Sequence, residues 1–407
     1  MTLLDERWLL PEGVEETLPP VAERLERARR DLLDLYSSWG YRLVTPPLVE
    51  HIESLLIGAS ADLDLQTFKL TDPLSGRMIG VRADMTPQVA RIDARYMPQD
   101  SPVRLCYLGT TLRTRADGLG GSRSPVQVGA ELYGHAGVES DCEAILLMLA
   151  TLERVGVSNV HLDLGHVGVF RALVVRAQLN TQHEDDLFEA MQRKASDEVD
   201  GVLAGVSDAT AREHLRALID LNGGAETLDA ARAVLADAGA QILGYIDDLS
   251  RLVEMLNDRG VALPVHFDLS ELRGGHYHTG IVFAAFVPGQ GQEVARGGRY
   301  DDIERVYGKP RAATGFSSDL KILVSLAGEP QAQQASLIEA PWNADRKMLA
   351  AVEALRASGE RVVFALPESA TTTGATEAST DGVDRRLCRA ADGDWIVVDV
   401  HVERLPR

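Results

Sequence analysis

The chain has 407 residues, 45% of them hydrophobic, and a formal net charge of −20. This length predicts two or three domains with cores of their own. The acidic balance argues against nucleic-acid and anionic-membrane partners, because phosphate contacts require clustered Lys and Arg. The three cysteines lack metal-ligand spacing, and neither a signal peptide nor an apolar membrane span is apparent, so we expect a cytoplasmic protein.

The first hundred residues predict an amphipathic helix, short strands and a second helix. Apolar residues recur at helical spacing over Val21–Trp39. The motif VRADMTPQVAR then begins the second helix, where Thr86 could cap the helix end and Asp84 could form the preceding turn. Capping is the favoured interpretation of this motif by itself. The alternative is that Asp84 supplies a carboxylate to a bound ammonium group.

The segment Arg104–Gly134 predicts a long antiparallel hairpin around a loop rich in Gly, Ser and Asp. Side chains alternate along its second strand, so Gln127 and Glu131 share a polar face opposite an apolar one. With Arg113 near the loop, this face could hold an α-amino acid, since a carboxylate accepts from an ammonium group and a guanidinium binds a carboxylate or phosphate. A solvated sheet face explains the same alternation, and the hairpin alone favours that explanation.

A helical insertion is predicted from about residue 168 to residue 257, and helices inserted between strands indicate an α+β fold. Strands then return, and a regular strand would place His276 and His278 on one face and Tyr277 on the other. The His-x-His pair suggests zinc, but no third or fourth ligand has suitable spacing, so no metal is predicted. Arg273, just upstream, is a candidate anion ligand.

The C-terminal part of the chain is short and differs in composition from the rest. We predict a core domain over residues 1–327, a linker over residues 328–340 and a small α/β domain over residues 341–407. Within this last domain, the stretch Ser369–Gly382 is rich in Thr, Ala and Ser and predicts a mobile loop.

Several motifs in order resemble the core of histidyl-tRNA synthetase, a class II aminoacyl-tRNA synthetase with an antiparallel sheet and flanking helices. They run over most of residues 8–325 and are LPEG, GYRLVTPPLVE, TFKLTDPLSGR, RADMTPQVAR, QVGAELYG, LRGGHYHTG and RGGRYDD. The resemblance implies a histidine pocket lined by Asp84, Thr86, Arg113, Gln127, Glu131, Tyr277 and His278. It also places Arg273 where the synthetase keeps an arginine for activation chemistry.

The same resemblance implies how these side chains would share one histidine. The ammonium group would meet Glu131 and Asp84, the carboxylate would meet an arginine or Gln127, and the imidazole would lie near Tyr277 and His278. With the resemblance included, a ligand site becomes a better explanation of the hairpin than a solvated sheet face.

Three departures from the synthetase pattern affect the part that would bind ATP. Arg115 stands where an acidic residue is expected, Asp319 where a glycine is expected and Ile322 where an arginine is expected. Isoleucine cannot supply the bidentate, stackable plane of arginine, and losing one transition-state donor commonly costs ~10²–10³ in rate. The chain after Leu326 is also too small and too unlike an anticodon-binding domain to read a tRNA. We therefore predict no catalytic residues and no cofactor.

The kept pocket and these departures together resemble a second family, the ATP phosphoribosyltransferase regulatory subunits. The resemblance implies a non-catalytic protein of histidine biosynthesis, which a short catalytic phosphoribosyltransferase subunit needs for activity and for feedback inhibition by L-histidine. It also implies a homodimer core, formed around Leu25–Val49, within a hetero-oligomer that we expect to be a hetero-octamer. The alternatives are a divergent histidyl-tRNA synthetase and a stand-alone histidine-binding module.

Overall fold

A computed structural model describes residues 9–56, 61–98, 100–116, 121–271, 277–302, 311–328, 336–367 and 383–400. The chain divides into two compact units, Met1–Gly328 and Glu329–Arg407. In the described part of the chain, helices that are both long and apolar enough to span a bilayer are absent.

The larger unit combines helices with two sheets, which confirms the predicted α+β class. Its helices are α1 (Val21–Ser38), α2 (Ile52–Leu55), α3 (Ala61–Gln66), α4 (Thr86–Tyr96), α5 (Val138–Val155), α6 (Val167–Ala177), α7 (Thr181–Gln192), α8 (Ser196–Leu203), α9 (Ala209–Ala217), α10 (Glu226–Val234), α11 (Ala240–Asp258) and α12 (Leu320–Leu326). Its strands are β1 (Arg42–Leu43), β2 (Val49–His51), β3 (Phe68–Thr71), β4 (Met78–Val81), β5 (Val103–Thr110), β6 (Val126–Tyr133), β7 (His161–His166), β8 (Asn222–Gly223), β9 (Val265–Asp268), β10 (Ile281–Phe286), β11 (Ala295–Arg299) and β12 (Ala313–Asp319).

The main sheet has nine strands in the order β1-β5-β6-β12-β11-β10-β7-β9-β8. The β1–β5 and β7–β9 pairs are parallel, whereas the other neighbours run antiparallel. Strands β5 and β6 form the hairpin predicted from the sequence. Strands β2, β4 and β3 form a separate antiparallel sheet. The hairpin therefore lies inside the main sheet, where β1 pairs with β5 and β12 pairs with β6.

Both faces of β6 are buried, so the solvated sheet face favoured by the hairpin alone is wrong. Val128 and Ala130 belong to the main apolar core, to which α1 and α5 contribute. On the opposite face, Gln127 and Glu131 are 4% and 1% exposed. Apolar residues of α4 pack with Tyr107 of β5 on this side of the sheet. Buried polar groups without partners are costly, so this face has to satisfy its own hydrogen bonds.

Residues 167–258 are mainly helical and return to the main sheet through β8, which pairs with β9. The helices share the apolar core of the sheet and do not form a core of their own. The strand after β9 begins later than the sequence suggested. Since β10 starts at Ile281, Tyr277 and His278 precede it, and the predicted alternation across a strand is wrong for this pair. His276 and Arg273 lie outside the described residues.

The smaller unit contains one helix and one sheet. Its elements are β13 (Leu337–Pro341), α13 (Arg346–Ala357), β14 (Arg361–Ala365), β15 (Val383–Arg389) and β16 (Trp395–Asp399). The strand order is β14-β13-β15-β16, and apolar residues of α13 and the sheet form a small core. Residues 337–340, which the sequence assigned to the linker, belong to β13. The stretch 369–382 lies outside the described residues.

Candidate functional site

A pocket of about 250 Å³ lies on the polar face of the main sheet. This volume is below that of drug-sized sites and suits one small polar molecule. Six of the predicted site residues line it, namely Asp84, Thr86, Arg113, Glu131, Tyr277 and His278. Gln127 is not among the lining residues, and Arg273 is outside the described part of the chain.

Glu131 is the most deeply buried carboxyl group of this pocket. Its Oε1 accepts hydrogen bonds from the hydroxyls of Tyr107, at 2.9 Å, and Thr86, at 3.2 Å. Its Oε2 accepts from the hydroxyl of Tyr300, which directly follows β11. The neighbouring strand carries Gly315 at the paired position, where a Cβ atom would lie 1.6 Å from Oε2. A glycine on β12 is therefore required for Glu131 to occupy this place.

The charge state of Glu131 follows from this environment. Burial raises its pKa to about 8, although the hydroxyls of Tyr300 and Tyr107 act in the opposite direction, and the charge of Asp84 raises the pKa further. The carboxyl is therefore largely protonated at neutral pH in this arrangement. Burial also raises the pKa of both tyrosines well above the usual value, so their hydroxyls remain donors. A ligand cation or N–H group placed against Glu131 would favour its ionised form.

Gln127 supports the pocket through hydrogen bonds to Asp84 and to the backbone of Met85. Its Nε2 donates to Asp84 Oδ1 at 2.8 Å, and its Oε1 accepts from the backbone N–H of Met85 at 2.8 Å. Both ends of the amide are thus engaged by the protein, and Gln127 orients Asp84. Among the described residues, both hydrogen bonds of Asp84 use Oδ1, which leaves Oδ2 for a ligand.

The expected capping role of Thr86 is wrong. Helix α4 begins at Thr86 itself, and the preceding Met85 makes no side-chain cap. The Thr86 hydroxyl instead contacts Glu131 and lies 2.9 Å from the Tyr107 hydroxyl. The turn predicted at Asp84 is present, because its Oδ1 accepts from the Thr86 backbone N–H at 2.8 Å. The Thr86 hydroxyl therefore makes a tertiary hydrogen bond to Glu131 and does not cap the helix.

An aromatic wall closes one side of the pocket. Tyr277 stacks on Tyr300 with ring centroids 4.9 Å apart, and His278 meets Tyr277 edge-on at 5.4 Å. Burial lowers the pKa of His278 to about 4, and the positive charges of Arg296 and Arg171 act in the same direction. His278 is therefore neutral at pH 7. The wall is uncharged and presents flat faces and edges that suit another planar ring.

Sequence reasoning missed Tyr107 and Tyr300. Tyr107 lies directly opposite Gly129 in the β5–β6 pairing, and a Cβ at that glycine would be 2.4 Å from the tyrosine hydroxyl. Tyr300 belongs to the RGGRYDD motif, and its neighbour Arg299 forms a 2.8 Å ion pair with buried Asp141 of α5. The pairing of Tyr107 with Gly129 across the predicted hairpin could have indicated that the tyrosine ring lies over β6 on the Glu131 face. The contact of Tyr300 depends on strand order and could not be derived from its local sequence.

Arg113 and Arg296 line both this pocket and a neighbouring cleft of about 1360 Å³. The three departures from the synthetase pattern, Arg115, Asp319 and Ile322, all line that cleft. The carboxylate of Asp319 accepts from the backbone N–H groups of residues 126 and 321, each at 3.0 Å, and so caps α12. The departures therefore concentrate in the cleft, whereas the pocket beside it keeps the expected polar groups.

Comparison with known proteins gives two matching sequence profiles. One, described as Histidyl-tRNA synthetase, matches residues 13–323, and the other, described as ATP phosphoribosyltransferase subunit HisZ C-terminal domain, matches residues 335–398. The chain is 55% identical over 395 residues to the ATP phosphoribosyltransferase regulatory subunit of Thioalkalivibrio sulfidiphilus, which covers 97% of this chain and 99% of that protein. It is 54% identical over 394 residues to the protein of the same name from Alkalilimnicola ehrlichii, with 96% and 97% covered.

Two solved structures share the fold. A protein from Bacillus halodurans, titled an ATP phosphoribosyltransferase regulatory subunit/histidyl-tRNA synthetase, matches with a TM-score of 0.77 at 28% identity, covering 90% of this chain and 94% of that one. The histidyl-tRNA synthetase of a Nostoc species matches with a TM-score of 0.74 at 17% identity, covering 96% and 97%. The class II synthetase-like fold predicted from the sequence is confirmed.

The raised pKa of Glu131 predicts a pH-dependent effect of Glu131→Gln on stability. Because the folded-state pKa lies above the usual 4.5, ionisation between pH 4.5 and about pH 8 favours the unfolded chain. The free energy of unfolding of Glu131→Gln relative to the unsubstituted protein should therefore rise from pH 5 to pH 8, by at most ~1.4 kcal/mol per pH unit. Urea denaturation at each pH measures this difference. The exposed Glu153 on α5 offers the control Glu153→Gln, and a pH-independent difference for Glu131→Gln would contradict the assignment.

Proposed function

Because this chain belongs to the family of ATP phosphoribosyltransferase regulatory subunits, we propose that it activates a short catalytic subunit and conveys feedback inhibition by L-histidine. One observation carries the proposal. The pocket around Glu131 keeps the polar groups expected for an amino acid, whereas Arg115, Asp319 and Ile322 alter the adjoining cleft. A synthetase needs both parts, since it must bind ATP beside the amino acid. A regulatory subunit needs the histidine pocket alone.

The geometry supports one orientation of histidine. The free Oδ2 of Asp84 would accept from the ammonium group, with the Thr86 hydroxyl close by. Arg113, at the junction with the cleft, would bind the carboxylate, because a guanidinium matches a carboxylate with two parallel hydrogen bonds. The imidazole would then point inward to the aromatic wall.

This orientation differs from the sequence-based expectation in one respect. The ammonium group was expected to meet Glu131 as well as Asp84. Glu131 is 1% exposed and accepts a hydrogen bond from the Tyr300 hydroxyl. Because the Tyr300 ring stacks on Tyr277, Glu131 lies beside the aromatic wall, where the imidazole ring would sit. We therefore assign Glu131 to a ring N–H of the imidazole. The amide of Gln127 is engaged at both ends and is not assigned to the ligand carboxylate.

A divergent histidyl-tRNA synthetase is the second candidate, favoured by the family profile over residues 13–323. It would require ATP activation in the altered cleft. Ile322 is 40% exposed there and offers no hydrogen-bond donor to a phosphate. ATP–pyrophosphate exchange that depends on histidine would favour this candidate.

The proposal includes a cytoplasmic assembly that contains the catalytic subunit, with a homodimer of this chain as its core and a hetero-octamer as the expected complex. Apolar side chains around Leu25–Val49 support the homodimer. Leu43 and Leu48 are 52% and 50% exposed, and β1 is the edge strand of the main sheet. Exposed apolar residues beside an unpaired strand edge are typical of an interface.

Feedback control can be tested by assaying a short catalytic subunit with and without this chain across a histidine titration. We expect the chain to raise phosphoribosyltransferase activity and histidine to reduce it again. A difference of ~1–3 kcal/mol in histidine affinity between two states of the complex is sufficient for such control. Glu131→Ala should relieve the inhibition, whereas the exposed Glu153→Ala should not. No effect of the chain on a competent catalytic partner would contradict the proposal.

The homodimer predicts twice the chain mass of 44.2 kDa in light scattering of the isolated chain. Leu48→Asp should shift the protein toward the monomer, because a charge in an apolar interface must be desolvated. Val175→Asp is the matched control, since Val175 is 77% exposed on α6 and does not belong to the residues 25–49 proposed for the interface. A monomeric mass for the unsubstituted chain at every concentration would rule out the homodimer.

A further inference from the structure

We propose that Arg296, on β11, binds the carboxylate of the ligand together with Arg113, so that the pocket selects amino acids with a free α-carboxylate. This inference rests on the proposed function, since it concerns the same pocket. The orientation of histidine proposed above uses Arg113 alone for the carboxylate, and the resemblance to the synthetase gave no role to Arg296. Both arginines line the pocket and the adjoining cleft, so both lie where the two cavities meet.

The strand register places Arg296 on the same face of the main sheet as Glu131. Arg296 pairs with Ser317 of β12, which in turn pairs with Gly129 of β6. Gly129 is two residues before Glu131 on the same strand. Residues paired directly across strands share a face, and so do residues two positions apart on one strand. The side chain of Arg296 therefore belongs to the pocket face of the sheet.

The strand between Arg296 and Glu131 carries small residues on this face. Gly315 pairs with Glu131, Ser317 pairs with Arg296, and both of these small residues line the pocket. A Cβ atom at Gly315 would lie 1.6 Å from the Glu131 carboxyl, so a larger residue cannot stand there. The small residues of β12 thus leave space for a ligand between the buried carboxyl and the guanidinium.

Arg113 reaches the same pocket from a separate part of the sheet. It follows β5, whereas Arg296 lies on β11, and β6 and β12 stand between these two strands. The Arg113 Nε donates to the backbone oxygen of Ala83 at 3.3 Å, and Ala83 lines the pocket beside Asp84. A carboxylate can accept from both guanidinium groups, because its two oxygens offer about four lone-pair sites.

The guanidinium of Arg296 is accessible to a ligand. Its side chain is 56% exposed, and its Nη1 forms a 3.0 Å ion pair with Glu293, three residues earlier on the chain. Ion pairs of hydrated groups contribute little to stability, so a ligand carboxylate can compete for this guanidinium. Glu293 would then orient the arginine that the ligand meets.

The charges that line the pocket match those of a zwitterion. Asp84 and Glu131 line the pocket but not the cleft, whereas Arg113 and Arg296 line both. An amino acid would therefore place its ammonium group against Asp84 and its carboxylate at the junction with the cleft. Arginine–carboxylate pairs are among the strong charge-assisted hydrogen bonds. The free acid should accordingly bind more tightly than an analogue that lacks the carboxylate.

Calorimetric titration of L-histidine and L-histidinol into the full chain tests this assignment. L-Histidinol keeps the imidazole and the ammonium group but carries a hydroxymethyl group in place of the carboxylate. We expect Arg296→Met to raise the dissociation constant of L-histidine at least fivefold and that of L-histidinol less than twofold, because only histidine carries the anion. Ligand-detected NMR measures L-histidinol if its binding is too weak for calorimetry.

Two further variants serve as controls. Arg154→Met should leave both dissociation constants unchanged, since Arg154 is exposed on α5 and lines neither cavity. Arg296→Lys should bind L-histidine with an affinity between those of Arg296→Met and the unsubstituted chain, because an ammonium group keeps the charge but lacks the planar fork.

The outcomes separate this inference from the proposed function. Equal weakening of both ligands by Arg296→Met would overturn the inference, and so would unchanged binding of L-histidine. If histidine binding is weakened by Glu131→Ala but not by Arg296→Met, the proposed function stands and this inference alone fails. If the unsubstituted chain does not bind histidine, both fail.

Discussion

A carboxyl group buried on a central strand is the constraint on which the rest of the site depends. Glu131 is held by three hydroxyls, from Tyr107 on β5, Thr86 at the start of α4 and Tyr300 after β11. These donors offset part of the cost of burial, yet the pKa remains raised to about 8. The group is therefore prepared for a partner that donates an N–H or brings a positive charge. A carboxyl group whose pKa is raised by burial and that lines a pocket is a candidate ligand-binding group.

The same carboxyl group imposes conditions on the fold. The strand beside Glu131 must carry Gly315, since any side chain there would collide with Oε2. Strands β5, β6, β12 and β11 must be adjacent in that order for Tyr107 and Tyr300 to reach the two carboxylate oxygens. An antiparallel sheet with this order brings residues 107, 131, 300 and 315 together, although they are far apart in the sequence.

Sequence patterns within one strand or one turn correctly predicted the positions of Gln127, Glu131 and Asp84 relative to their neighbours. Period-two alternation placed Gln127 and Glu131 on one face of β6, and turn chemistry explained Asp84. The burial of that face was not predictable, because it depends on α4 packing across the sheet. Thr86 was expected to cap a helix, but a contact with Glu131 replaced the cap. Where tertiary contacts compete with local preference, a single sequence cannot decide the outcome.

Calorimetric titration of L-histidine into the unsubstituted chain and Glu131→Ala at pH 7 tests the central claim most directly. Removing the carboxyl deletes the group assigned to the imidazole and leaves the hydroxyls of Tyr107 and Tyr300 without their acceptor. The account predicts saturable binding by the unsubstituted chain and at least ~10-fold weaker binding by the variant, which corresponds to ~1.4 kcal/mol. Equal affinity of the two proteins for histidine would contradict it.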